Sequence, residues 1–97
     1  MKENEYQGKL IKKIKAKLPD CDVLKNDSSI IQGIPDLSVL NGPKYAYLEV
    51  KISKDAPHQP NQDYYINKAN KNNGFGRFIY PENEKEVLND MINYFNN

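Results

Sequence analysis

Gly33-Ile34-Pro35-Asp36-Leu37-Ser38-Val39-Leu40 and, beyond a break at Asn41-Gly42-Pro43, Tyr45-Ala46-Tyr47-Leu48-Glu49-Val50-Lys51 form the stretch whose reading decides the fold. Asn-Gly and Gly-Pro are turn dipeptides, and the apolar runs beside them are short and rich in strand-favouring residues. The stretch therefore predicts two adjacent β-strands joined by a turn. Successive side chains in a strand change face, so Tyr45, Tyr47, Glu49 and Lys51 share one side and Ala46, Leu48 and Val50 the other. Asp36 opens the first strand and projects at the same sheet edge. Two carboxylates beside a lysine suit a hard divalent cation and an activated water. The competing reading of Glu49 and Lys51 is a solvated ion pair at a strand end, of little energetic value.

Pro35-Asp36, twelve intervening residues, and then Glu49-Val50-Lys51 make a more specific pattern than Glu-x-Lys alone. Gly33-Ile34-Pro35-Asp36-Leu37 with Glu49-Val50-Lys51 resembles the signature of the PD-(D/E)xK nucleases. In particular it resembles the stand-alone VRR-NUC (virus-type replication-repair nuclease) group, whose pattern runs G-x-P-D, E-x-K, and a glutamine-bearing helix ending at a glycine. The resemblance spans nearly the whole chain. It implies one α/β domain over residues 1–97 with a restriction-endonuclease-like core, in the order α-β-β-β-α-β-α, its mixed central sheet flanked by helices. It also implies Mg²⁺ or Mn²⁺ held by Asp36, Glu49 and the backbone carbonyl of Val50. Lys51 would orient or help deprotonate the attacking water, and Gln62 would sit near the active site.

A further acid on the first helix belongs to the family pattern. By the spacing to Leu10 it falls on Gln7, which is not an acid; Glu3, one turn earlier, is the first substitute and Glu5 the second. Both glutamates also suit the positive N-terminal end of a helix with no metal involved. The stand-alone relatives imply branched DNA, such as a four-way junction, handled by a homodimer. They also imply a cytoplasmic phage or mobile-element protein in a bacterial host. The alternative is a nuclease-fold DNA-binding or regulatory module without cleavage, favoured by Gln7 and opposed by the intact Asp36/Glu49/Lys51 set.

Elsewhere the chain reads more simply. Tyr6, Leu10, Ile11, Ile14 and Leu18 fall at helical spacing before Pro19, predicting a helix from about residue 4 to 18. Met1 to Leu18 holds six lysines and two glutamates. These lysines form either the solvated face of an amphipathic helix or, beside a nuclease site, phosphate contacts through Lys9, Lys12 and Lys13. Cys21–Lys25 predicts a short strand at an edge or bend. Asn26–Gly33 predicts a polar loop carrying Ile30 and Ile31; its Asp27, Ser28 and Ser29 satisfy backbone donors in turns. In the family this loop borders the site, which makes Ser29 a phosphate contact by resemblance. Gly33 supplies either an unusual backbone angle or close approach of substrate.

After Lys51, Ser53–Pro60 is a loop by composition, and helix resumes near Asn61. Gln62, Tyr65, Ile66 and Ala69 keep helical spacing up to a stop at Asn72-Asn73-Gly74. Gln62 shares the Ile66/Ala69 side; its plainer role is a cap or a core hydrogen bond. His58 is the only histidine and has no nucleophile partner. Gly76–Tyr80 predicts the last strand. Pro81 then starts a helix with Val87, Leu88, Met91, Ile92 and Phe95 on one face and Glu82, Glu84, Glu86 and Asp90 on the other. That acidic side does not suit DNA, so the helix is expected to cover the sheet or meet another subunit.

Composition bounds the rest. Ninety-seven residues allow one modest core. Fourteen basic residues against thirteen acidic ones make the distribution of charge more informative than its total. A single cysteine, Cys21, excludes an internal disulfide and a cysteine-based zinc site. No apolar run reaches membrane-spanning length, and the polar start Met-Lys-Glu-Asn-Glu has no signal-peptide pattern, so an intracellular, reducing setting and no membrane partner are expected.

Overall fold

The helical spacing of Tyr6, Leu10 and Ile14 becomes α1 (Glu3–Lys17), which buries those three residues together with Gln7. There follow β1 (Asp22–Lys25), β2 (Leu37–Asn41), β3 (Lys44–Val50), α2 (Gln62–Lys71), β4 (Phe75–Ile79) and α3 (Glu84–Asn96), the expected α-β-β-β-α-β-α order. This computed structural model describes residues 1–58 and 61–97; the Gln59-Pro60 part of the expected loop lies outside them. Several boundaries move by one residue, the first helix, first strand and last strand among them, and two shifts bear on the argument. Asp36 immediately precedes β2 rather than opening it. The last helix starts at Glu84, not Pro81, because Asn83 ties down a turn: its Oδ1 accepts the Tyr80 N–H at 2.9 Å and its Nδ2 donates to the Phe78 carbonyl at 3.0 Å.

The four strands lie in the order β1-β2-β3-β4. β1 pairs with β2 and β2 with β3 antiparallel, while β3 and β4 are parallel, so the sheet is mixed. The hairpin between β2 and β3 has a two-residue loop, Gly42-Pro43, with Gly42 at φ +60°, the positive angle wanted at the first central position of a type II′ turn. The parallel pair needs a crossover connection, and α2 provides it.

One face of the sheet presents Leu37, Val39, Ala46, Leu48 and Val50, all fully buried in one cluster with Leu10 and Ile14 of α1 and Val87, Leu88 and Met91 of α3. Each of these valine, leucine, isoleucine and methionine side chains contributes roughly 1.5–3 kcal/mol by leaving water. The opposite face is covered by α2 through Ile66 and Ala69, and Tyr47 meets Tyr65 of that helix edge-on with ring centroids 6.3 Å apart. The sheet thus has helices on both faces.

Polar ties fix the helices. Glu84, in the first turn of α3, accepts hydrogen bonds from the Tyr6 hydroxyl at 2.9 Å and the Lys13 ammonium at 2.6 Å, joining α3 to α1. The last turn of α3 has no basic residue; Lys44 of β3 supplies the cation there, donating to the carbonyls of Tyr94 and Asn97 at 2.9 and 2.6 Å. Asn70 of α2 exchanges two hydrogen bonds with the backbone of Gly76, satisfying groups of the edge strand β4. Among the described residues no helix is long and apolar enough to cross a membrane.

Candidate active site

The register of β2 on β3 pairs Leu37 with Leu48, so one step further Asp36 stands opposite Glu49. Their side chains share a face and hold each other through the backbone. The Asp36 N–H donates to Glu49 Oε1 at 3.2 Å, and the Val50 N–H donates to Asp36 Oδ2 at 2.9 Å. A strand residue's N–H and C=O leave by the same edge, so the Val50 carbonyl also faces the Asp36 side. The next N–H, that of Lys51, points the other way and donates to the Ile79 carbonyl at 2.9 Å.

Lys51 extends the network. Its ammonium donates to Gln62 Oε1 at 2.8 Å and to the Pro57 carbonyl at 3.2 Å, and lies 3.7 Å from Glu49 Oε2. Gln62, in the first turn of α2, is brought to Lys51 because α2 begins beside the end of β3. Glu49 is only 3% exposed and Lys51 7%, so the solvated ion-pair reading does not apply. Burial, reinforced by the neighbouring Asp36 carboxylate and opposed by Lys51, pushes the Glu49 carboxyl up to about 7. Glu3, at the start of α1, is also raised, by burial first and then by Asp36, with Lys51 opposing.

A cleft of about 290 Å³ opens on this network, lined by Asp36, Glu49 and Gln62 together with Ser28, Gly33 and Asn61. Gly33 has φ +82°, and a Cβ there would lie 2.3 Å from Asn61 Cβ, so glycine lets the loop pass against the start of α2. Asn26 fixes the other end of that loop. Its N–H donates to the Asp36 carbonyl at 2.8 Å, and its Nδ2 donates to the Pro35 carbonyl at 2.9 Å and to Ser38 Oγ at 2.8 Å. Neither Asn26 nor Asn61 was singled out by the sequence; the available signal was only that each side chain adjoins an element end. A second recess, of about 440 Å³, is lined by Asp36 with Glu3, Gln7, Asn26 and Ser28. Gln7 is 4% exposed, and its Oε1 makes no hydrogen bond.

The structure therefore brings together Asp36, Glu49, Val50, Lys51 and Gln62, with Glu3 and Gln7 bordering Asp36. Glu5 is exposed and lines neither recess. Lys9, Lys12 and Lys13 are all exposed on α1, and Lys13 is engaged with Glu84. Ser29 is exposed and its N–H bonds Asp27 Oδ1 at 2.9 Å, whereas its neighbour Ser28 lines both recesses. His58 stacks on Phe78 with ring centroids 3.9 Å apart, 3.6 Å from the Asp63 carboxylate, and lines neither recess. Tyr45 and Tyr47 are half-buried and pack edge-on, as expected of packing residues.

Among the described residues no group of three or more His, Cys, Asp or Glu side chains is arranged to hold a metal ion. The acids that meet are the pair Asp36 and Glu49. The chemistry of that pair fits Mg²⁺ or Mn²⁺: two hard oxygen donors crowd each other, one resists ionisation because it is buried beside the other, and the strand directs a carbonyl to the same side. A scan against protein-family models, a search of curated proteins and a search of solved structures each found no match to this chain.

Proposed function

We propose that this chain is a metal-dependent DNA endonuclease, with a restriction-endonuclease-like core of the VRR-NUC kind, that hydrolyses phosphodiester bonds. The observation that carries this reading is the network Asp36–Glu49–Lys51–Gln62 at one end of β2 and β3, with Glu49 and Lys51 buried and Asp36 and Gln62 half-buried, opening onto a cleft. Phosphodiester hydrolysis needs an attacking water, charge neutralisation on the phosphate and stabilisation of the leaving oxygen. Asp36, Glu49 and the Val50 carbonyl would hold Mg²⁺ or Mn²⁺, and Glu3 adds negative potential beside Asp36. The cation supplies phosphate neutralisation and an acidified water. Lys51, fixed by Gln62 and Pro57, offsets phosphate charge and orients the nucleophile. The exposed lysines of α1 provide sequence-independent contact to the DNA backbone.

The substrate proposed is branched DNA, cut by a homodimer in the cytoplasm of a bacterial host. A two-fold pair of identical small sites matches the two equivalent strands of a four-way junction. Incubation with linear duplex, flap and four-way junction DNA, in Mg²⁺, Mn²⁺ or chelator, tests the reading. Cleavage is expected with metal only, and Asp36→Asn is expected to abolish it while the circular dichroism spectrum stays native. Metal-independent cleavage, or full cleavage by that variant, would refute the site. Light scattering should give about twice the chain mass. One observation favours a second reading, a DNA-binding module that does not cut: Gln7 stands where the related pattern has an acid. Tight junction binding with no cleavage under any metal would select it.

A further inference from the structure

Gln7 is a buried polar side chain whose burial the core does not explain. It lies on the α1 stripe that continues through Leu10 and Ile14, both almost wholly buried, and any aliphatic residue at position 7 would extend that apolar stripe. Instead the stripe ends in an amide that is 4% exposed, with Oε1 buried and accepting no hydrogen bond. Buried acceptors in native folds are nearly always satisfied, so each exception asks for a reason. The position supplies one. Gln7 lines the same recess as Asp36 and Glu3, on the α1 side of the acidic pair.

From this juxtaposition we infer that Gln7 Oε1 is a neutral oxygen donor to the divalent cation held by Asp36 and Glu49. The inference rests on the nuclease reading above and specifies how its site is completed. A small hard cation prefers a nearly full shell of oxygens and accepts amide oxygen as readily as carboxylate. Among the described residues no third carboxylate, imidazole or thiolate is grouped with the pair closely enough to share a metal ion, Glu3 of the same recess included, so the further side-chain donor assigned here is the neutral amide. A carboxylate at position 7 would supply oxygen too, but would add a like charge beside two carboxylates that already repel each other. The amide gives the oxygen without the repulsion. It also gives weaker attraction, which predicts a cation site of moderate affinity that a single added charge should tighten.

Calorimetric titration with MnCl₂ tests this on the intact chain, alongside thermal melts in chelator. Gln7→Met keeps the side chain's length but replaces the hard oxygen donor with a soft thioether. It is expected to weaken Mn²⁺ binding on the order of tenfold or more, while its melting temperature in chelator stays level or rises. Gln7→Glu is expected to bind Mn²⁺ more tightly than the wild type. Asp36→Asn is expected to lose binding. Unchanged Mn²⁺ affinity in Gln7→Met, or no tightening in Gln7→Glu, would overturn the inference while leaving the nuclease reading in place, provided Asp36→Asn still loses binding. A wild-type chain that binds no Mn²⁺ would overturn both.

Discussion

Replacing Glu49 by glutamine should make the metal-free protein more stable at neutral pH and remove most of its pH dependence. An unperturbed glutamate titrates at 4.5, whereas burial and the Asp36 carboxylate hold folded Glu49 near 7. Below 4.5 the folded and unfolded chains both carry the proton, and the stabilisation from the neutral acid is fully present. Between 4.5 and about 7 the unfolded chain releases its proton while the folded chain keeps it, so stability falls as pH rises. Above about 7 the loss is complete. The interval corresponds to roughly 3 kcal/mol, an upper figure because a fold can relax around a charge. Against the 5–15 kcal/mol typical of small domains, that is a large fraction.

Urea unfolding in chelator at pH 5 and pH 8 measures it. The wild type should lose on the order of 2–3 kcal/mol between the two pH values. Glu49→Gln should lose much less and be the more stable protein at pH 8. Glu3, raised in the same direction, remains in both proteins, so the difference between their slopes isolates Glu49. Mn²⁺ at a hundred times its dissociation constant should return about 2.7 kcal/mol to the wild type at pH 8 and little to the variant. Equal pH slopes in the two proteins would refute the argument, as would a variant less stable than wild type at pH 8.

Two further outcomes follow from the geometry. Gly33→Ala puts a Cβ 2.3 Å from Asn61 Cβ at a backbone angle alanine avoids; urea unfolding should show a loss of about 1–3 kcal/mol and cleavage should fall with it. Lys9→Glu and Lys12→Glu should weaken DNA binding and make its salt dependence shallower, by about 0.9 in the log–log slope for each phosphate that is no longer neutralised. Lys13→Glu should in addition lower the melting temperature, because it sets a carboxylate against Glu84.

Most of the fold was legible because its signals are local. The 3.6-residue spacing of Tyr6, Leu10 and Ile14, the alternation from Tyr45 to Lys51 and the Gly42-Pro43 turn each depend on near neighbours, and each gave its element. Asp36 and Glu49 were legible as partners because a tight hairpin converts sequence separation into register. What stayed hidden depends on distant contacts. The start of α3 moved because Asn83 bonds back to Phe78 and Tyr80. Lys13 could be read as a surface charge, but not as the partner of Glu84 seventy-one residues away. The clamp on Lys51 includes the Pro57 carbonyl, a backbone group that side-chain patterns do not reveal. Gln7 was visible as a departure from an acidic pattern, while its burial follows from how α1 seats on the sheet.

The distances around Lys51 carry the last step. An ammonium buried beside a carboxylate is expected to close on it, because the low local dielectric strengthens their attraction and each charge lacks water. Here Lys51 stands 3.7 Å from Glu49 and only 2.8 Å from Gln62, so its better hydrogen bond goes to a neutral oxygen on α2. Gln62 and Pro57 hold the cation back from the acid. Glu49 consequently keeps an oxygen that Lys51 does not saturate, next to Asp36, which cannot neutralise it. A fold selected for stability alone would let Lys51 bind Glu49 directly, or would replace the pair with apolar side chains of similar volume. Holding a buried acid short of its partner makes sense where the acid must remain available to a cation, and Gln62 is the side chain, beside the Pro57 carbonyl, that maintains that distance. Gln62→Ala should therefore let Lys51 close on Glu49 and weaken Mn²⁺ binding; unchanged affinity in that variant would show that the separation has another cause.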